Sequence, residues 1–565
     1  MLSGNRFDLT IGYQKVNFTG RERLATTVNN SLPAPTLRWR EGDRVTLRVS
    51  NALAEDTSIH WHGLILPTHM DGVPGLSFDG IKPGETYEYA FDVRQSGTYW
   101  YHSHSGFQEQ TGLYGTIIVD PLEPEPFSYD REYVVMLSEW SDENPDDIYR
   151  RLKVDPEFYS QTRRTVSDVR REIKDGGLAK TRRDRRMWIM MRMSDRDMSD
   201  VSGLTYTYLM NGVTPDRGWI GTFDKGEKIR LRIINGSAMT FFDFRIPGLK
   251  MTVVAADGQN IEPVTVDEFR IGVAEIYDVI VQPESDTAYT LFAQAIDRSG
   301  FARGTLTPDP SVAAPVPGFD PIPALSHGDM GMSMAAMGHG DHAAMDHASM
   351  DHAAMGHAEM EDESADSEMA QASGPGPVNL GRAGTGSQAA IVHKQSEYGP
   401  QVVMRAEAPQ SHLDDPGPGL RDNGRRVLVY RDLRNILPTS DPREPGREVQ
   451  LHLTGNMGRY MWSMDGIKFA DAEPLRLVYG ERLRITLIND TMMYHPIHLH
   501  GMWSELETGD PDGIPRKHTI NVAPGGKVSY LVTADAEGNW AYHCHLLFHM
   551  PGMFREVRVE RELSS

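Results

Sequence analysis

One alternation of apolar and polar positions occurs three times along the chain, opened each time by glycine and closed by asparagine. The three segments are Gly42-Asp43-Arg44-Val45-Thr46-Leu47-Arg48-Val49-Ser50-Asn51, Gly226-Glu227-Lys228-Ile229-Arg230-Leu231-Arg232-Ile233-Ile234-Asn235 and Gly480-Glu481-Arg482-Leu483-Arg484-Ile485-Thr486-Leu487-Ile488-Asn489. A period of two bounded by turn residues predicts a half-buried strand. Its recurrence predicts three copies of one β-domain. Copies one and three also match downstream: His60-Trp61-His62-Gly63 corresponds to His498-Leu499-His500-Gly501, and Gly97-Thr98-Tyr99-Trp100-Tyr101-His102-Ser103-His104 to Gly538-Asn539-Trp540-Ala541-Tyr542-His543-Cys544-His545. Copy two offers Phe242-Asp243-Phe244-Arg245-Ile246 and Tyr277-Asp278-Val279-Ile280-Val281 as its equivalent strands, without histidines. It reads as a structural spacer that carries no metal.

Two stretches break the β pattern. Between 142 and 200 the chain is charged, and Asp168-Val169-Arg170-Arg171-Glu172-Ile173-Lys174 before Gly176-Gly177 predicts a surface helix with a glycine stop. Met187, Met190, Met191 and Met193 there read as packing residues. From 308 to 400, Pro, Gly, Ala and Ser dominate and large apolar residues other than Met nearly vanish, which predicts a disordered linker. Within it Met345-Asp346-His347, Met350-Asp351-His352 and Met355-Gly356-His357 repeat at a spacing that suits neither a helix face nor a strand face. Such a His/Met tract suits loose, exchangeable copper binding. The expected organisation is a first domain over 1–125, a second over 126–307 with the helical insertion, the linker over 308–400, and a third domain over 401–565.

Composition narrows the partners. A net charge of −22, which no local run of Lys and Arg overrides, argues against nucleic acid. No apolar run is long enough to span a bilayer. The single cysteine, Cys544, excludes a disulfide framework and a Cys-rich zinc fold.

That cysteine and the histidine pairs carry the chemistry. Along a strand, residues two apart share a face, so each His-x-His pair offers two imidazoles to one space. If copies one and three meet, His60, His62, His102, His104, His498, His500, His543 and His545 converge; that donor set is too large for one metal ion and about right for three. The same alternation turns Cys544 away from His543 and His545, toward a second site with His495, His549 and a methionine. Two imidazoles, one thiolate and a weak axial thioether make up the blue-copper electron-transfer set. Met553 is the preferred thioether and Met550 the alternative.

These four motifs, in this order and spacing, resemble those of three-domain multicopper oxidases, and the resemblance covers nearly the whole chain. Within that family the chain resembles the CopA-type periplasmic copper-resistance oxidases. The cues are His102-Ser103-His104-Ser105-Gly106-Phe107-Gln108-Glu109-Gln110, the stretch Asn456-Met457-Gly458-Arg459-Tyr460-Met461-Trp462-Ser463-Met464-Asp465-Gly466, and the Met/His tract before domain three. The resemblance implies an all-β fold of three cupredoxin-like Greek-key sandwiches holding four copper ions, one type 1, one type 2 and two type 3. It assigns His60 and His498 to the type 2 ion, His62, His102 and His543 to one type 3 ion, and His104, His500 and His545 to the other. Asp71 matches the family's acidic residue that assists proton delivery. Most family members place the axial methionine ten residues after the cysteine, where this chain has Phe554. The implied reaction couples one-electron donor oxidation to reduction of O2 to water, by a periplasmic monomer. Cu(I) is the favoured donor, gathered by the tract and passed on by Met457, Met461 and Met464. A laccase-like oxidase of phenols or aromatic amines is the alternative, and a copper-sequestering protein the third reading.

Overall fold

The computed structural model describes residues 1–191, 194–332 and 380–561. Each recurring segment forms a strand with the same two neighbours. Arg44–Asn51 lies between Arg6–Val16, parallel, and Thr86–Asp92, antiparallel. Ile229–Asn235 lies likewise between Arg131–Ser141 and Ile276–Val281, and Arg482–Asn489 between Arg447–Asn456 and Lys527–Thr533.

The closing asparagine has a structural reason. Asn51 Nδ2 donates to the Glu55 and Ile81 carbonyls, Asn235 Nδ2 to those of Thr240 and Ile271, and Asn489 Nδ2 to those of Met493 and Val522. In each copy Oδ1 accepts the backbone N–H two residues on, at Leu53, Ser237 and Thr491. One amide thus satisfies three buried backbone groups and fixes where the chain leaves the sheet.

The expected half-buried alternation holds only in the first copy. Arg44–Asn51 alternates as predicted, whereas Ile229–Asn235 and Arg482–Asn489 are buried throughout. Their polar faces are covered, and the arginines there are paired. Arg230 meets Asp278 and Glu125, Arg232 meets Glu132, Arg482 meets Glu505 and Arg484 meets Glu507. A buried guanidinium is tolerated only when a carboxylate answers it.

A second sheet completes each sandwich. In domain 1 its order is Leu2–Ser3, Ala34–Arg40, Tyr114–Asp120, Gly97–His102, His60–His62; in domain 3 it is Leu475–Val478, Phe554–Glu560, Gly538–Cys544, His495–Leu499, Thr519–Val522. Domain 2 has Trp219–Thr222, Phe301–Thr307, Tyr289–Ala295, Phe242–Arg245, Glu268–Ile271. Phe242–Arg245 therefore stands where domains 1 and 3 carry their first histidine pair. The expected second counterpart needs correction: Ile276–Val281 matches Thr86–Asp92 in the other sheet, and Tyr289–Ala295 takes the place of the second histidine strand. Pairing along the chain, not composition, decides this.

The insertion forms three helices, Pro145–Val154, Val166–Gly176 and Leu178–Met191. The first is capped by the Asn144 side chain, and the second begins with a Thr165–Asp168 capping box and stops at Gly177, whose φ of 82° suits glycine. Met193 and the side chains of Met187, Met190 and Met191 lie outside the described residues. The expected linker is packed at both ends. Thr290 donates to the Pro315 carbonyl, Met330 is fully buried, and Ser387 donates to Glu448. The repeating Met/His tract lies outside the described residues. No helix among those described is long and apolar enough to cross a membrane.

Candidate metal centres

Domains 1 and 3 meet along their histidine strands. His60 lies directly opposite His102 in one ladder, and His498 opposite His543 in the other. Stacking of His60 on His500, with ring centroids 3.9 Å apart, and of His62 on His498, at 3.7 Å, joins the two domains. Three groups of donors result. His62, His102 and His545 form one, with ring separations of 5.7, 4.9 and 5.0 Å. His104, His500 and His543 form another, at 5.2, 5.0 and 5.2 Å. His60 and His498 complete the set together with the shared His500. This corrects the partition implied by resemblance: His545, not His543, joins His62 and His102, and His543 joins His104 and His500. The strand ends at Cys544, so His545 belongs to the following turn and reaches the domain 1 trio that its strand-bound neighbour does not.

The outward nitrogens are held. His60 Nδ1 donates to the Asp71 carbonyl, His498 Nδ1 to the His518 carbonyl, and His543 Nδ1 to the Cys544 carbonyl. His102 Nδ1 lies 2.6 Å from Glu109, and His500 Nδ1 lies 2.9 Å from Asp71. Such partners fix the tautomer and aim the other nitrogen's lone pair inward. Those inner atoms, Nε2 of His60, His102, His104, His498 and His545, are buried and unpartnered. Burial holds His62, His102, His104, His498, His500 and His545 well below the ordinary imidazole value, and His543 at about 4. Neutral, orphaned, convergent nitrogens fit metal cations, since leaving so many acceptors dry without one is costly.

Asp71 is fully enclosed and spans the interface, reaching His60 of domain 1 and His500 of domain 3. It follows the short helix Thr68–Met70, and Gly72 after it has a φ of 84° with the Ile59 carbonyl where a Cβ would sit. It is both a turn residue and a tie between imidazoles.

The strand turns Cys544 the other way. Its Sγ lies 3.5 Å from His495 Nδ1 and 3.9 Å from His549 Nδ1, and those two nitrogens are 3.4 Å apart. His495 Nε2 donates to Thr491 Oγ1 and His549 Nε2 to Asp200, at 2.7 and 2.6 Å. Burial pushes the Cys544 thiol up, so a cation must displace its proton before it can act as a thiolate ligand. Met553 is fully buried, and its carbonyl accepts the Cys544 N–H at 3.0 Å; Met550 is only half-buried.

Sequence reasoning missed three participants. His518, buried 4.7 Å from the His62 ring, stands beside the cluster; its backbone N–H donates to Asp257 of domain 2. Asp200 comes from the end of the helical insertion. Neither Asp257 nor Asp200 sits near a histidine in sequence, and His518 lacks the paired spacing that marked the others.

Comparison with known proteins agrees with this arrangement. Multicopper oxidase domain families match residues 10–124, 131–309 and 442–562. The chain is 58% identical over 567 residues to "Copper resistance protein A" of Escherichia coli, covering 99% of this chain and 93% of that protein. The chain belongs to the multicopper oxidase family. A homologue of copper resistance protein A from Pseudomonas syringae pv. tomato is also 58% identical, over 99% of this chain and 93% of its own length. The fold of Fet3p, described as a multicopper oxidase that functions in iron import, superposes with a TM-score of 0.66 at 18% identity, covering 100% of this chain and 93% of that one.

As a multicopper oxidase the chain uses copper, O2 and a reducing substrate. The outer edge of the Cys544 site is closed over. His549 is fully buried, with Trp462 stacked on it at 3.8 Å. Asp200 on its Nε2 also accepts from Tyr460, and helix Pro145–Val154 packs above, with Tyr149 against Phe548 and Lys153 donating to the Tyr460 carbonyl.

Proposed function

We propose that the chain is a cuprous oxidase that serves copper resistance in the periplasm as a monomer, taking electrons from Cu(I) and delivering them to O2. The observation that carries the choice of donor is the roof over His549, which leaves a bulky phenol no flat approach to the imidazole. The identity to copper resistance proteins supports the same reading. His495, His549, Cys544 and Met553 hold a type 1 ion, with Met553 preferred to Met550 because it is wholly enclosed. His60 and His498 hold a type 2 ion, and the trios of His62, His102 and His545 and of His104, His500 and His543 hold the type 3 pair. Copper in these sites, when bound, supplies the one-electron chemistry that joins donor oxidation to four-electron reduction of O2.

The chain's own residues supply connection, protons and exclusion. The peptide links from Cys544 to His543 and His545 are the shortest covalent path between the two centres. Asp71 holds His60 and His500 in register and carries a carboxylate where protons are consumed. Asp200 aims His549 and places a negative charge behind its imidazole. Among the methionines suggested to pass Cu(I), Met457 and Met464 are buried in the core, which leaves half-buried Met461 for that role. The Met/His tract gathers the ion.

Steady-state oxidation of Cu(I) and of 2,6-dimethoxyphenol, measured singly and in competition, tests the reading. The expected result is a higher kcat/KM for Cu(I) and inhibition of phenol turnover by Cu(I). Equal or better turnover of the phenol returns the laccase-like reading. Deleting 333–369 is expected to impair Cu(I) oxidation more than phenol oxidation, and equal effects remove the tract's role.

A further inference from the structure

Two histidines and two carboxylates converge in domain 3 away from both centres described above. His452 Nδ1 lies 2.7 Å from Asp490 Oδ2 and 3.4 Å from Glu397 Oε2. His393 Nδ1 lies 2.7 Å from Glu397 Oε2 and 3.7 Å from Asp490 Oδ2. The two rings are 4.7 Å apart. His452, Glu397 and Asp490 are fully enclosed, and the His393 side chain is 17% exposed. Each imidazole presents the same nitrogen to the same two oxygens.

Two buried carboxylates need positive charge nearby. Among the described residues no lysine or arginine lies within ion-pairing distance of either. Lys394 is engaged by Asp465, and Arg405 donates to the backbone carbonyl of Glu397. The outer carboxylate oxygens are held, Glu397 Oε1 by the Lys394 N–H at 3.1 Å and Asp490 Oδ1 by the Ala406 N–H at 2.7 Å. Holding those oxygens fixes the direction of the inner ones, as outer partners do in metal sites. Ligands about 2.1 Å from a tetrahedral cation stand roughly 3.4 Å from one another, and the four separations above bracket that spacing.

We propose that His393, Glu397, His452 and Asp490 form a closed site for one divalent transition-metal cation, Zn2+ or Cu2+, separate from the oxidase centres. Two imidazole nitrogens and two carboxylate oxygens are a donor set for cations of this class, and four protein ligands mark a structural rather than a catalytic site. The cation joins three elements. His393 and Glu397 flank the segment where the chain resumes after the tract, His452 lies on strand Arg447–Asn456, and Asp490 directly follows Arg482–Asn489. Thr491, the next residue, holds His495. The site therefore pins the base of the tract and braces the turn that places a type 1 histidine.

The test uses the full-length, copper-loaded enzyme. After equilibrium dialysis against Zn2+ and removal of loosely held metal by a weak chelator, metal content is measured by mass spectrometry for the wild type, His393→Ala and Glu397→Gln. The expected result is one equivalent fewer, of Zn2+ or of copper, in both variants, with the copper–thiolate absorption retained. Unchanged metal content in folded variants overturns the proposal. Should the variants fail to fold, anomalous diffraction from wild-type crystals at the zinc and copper edges decides. A peak between the four side chains supports the site and names the metal, and no peak after soaking in both overturns it.

Discussion

Domains 2 and 3 share a strand, an asparagine clamp and a sandwich, yet of the two only domain 3 carries histidines. In domain 3, His498 faces His543 across the ladder. In domain 2 the matching ladder sets Phe242 opposite Ala295 and Phe244 opposite Ala293, and all four are buried in apolar core. Backbone pairing is indifferent to this exchange, because the hydrogen bonds run between main-chain groups. The fold thus resides in the clamp and the alternation, and the chemistry in a few strand positions that face another domain. Domain 2 nonetheless reaches both centres, with carboxylates instead of imidazoles: Asp200 behind His549 and Asp257 behind His518.

The contrast can be broken at graded cost. Cys544→Ser is expected to abolish donor oxidation and the copper–thiolate band while leaving circular dichroism unchanged; retained turnover contradicts the role given to the thiolate. Asn489→Ala and Asn235→Ala each strand at least three backbone groups, for a loss of about 3 kcal/mol in thermal or denaturant unfolding. Only Asn489→Ala is expected to weaken copper retention as well, because its clamp sets the path toward His495. Equal copper loss in both variants erases the distinction between fold and site. Asp200→Asn is expected to lower kcat/KM for Cu(I) by roughly ten- to a hundredfold, the usual range for a ligand's outer partner. An unchanged value returns Asp200 to a packing role. Thr491→Val removes the hydroxyl's bonds to His495, Asn489 Oδ1 and the Met493 N–H and is expected to cost about 2 kcal/mol, read as a fall in unfolding midpoint with a shifted type 1 potential.

Much of this was legible in the chain because its signals were local. Alternation located the recurring strands, and His-x-His spacing located eight imidazoles that the structure gathers. The lone cysteine between two histidines announced two faces. What escaped depends on distance. Asp200 meets His549 across 349 residues, and no local spacing encodes such a pair. Arg230 and Arg232 alternate with apolar residues as a solvated face does, so their burial against domain 1 and neighbouring strands leaves no periodic trace. His518, within Arg516-Lys517-His518-Thr519, reads as an ordinary strand histidine until the domains close. The partition of His543 and His545 depends on how two domains cross, which strand alternation leaves open.

Anomalous diffraction at the copper edge, on crystals of the copper-loaded enzyme, addresses the division between domains most directly. The expected map has peaks among the eight imidazoles at the junction of domains 1 and 3, another beside Cys544, and none within domain 2. A peak in the domain 2 sandwich, or an empty junction in the presence of a copper–thiolate peak, contradicts the assignment.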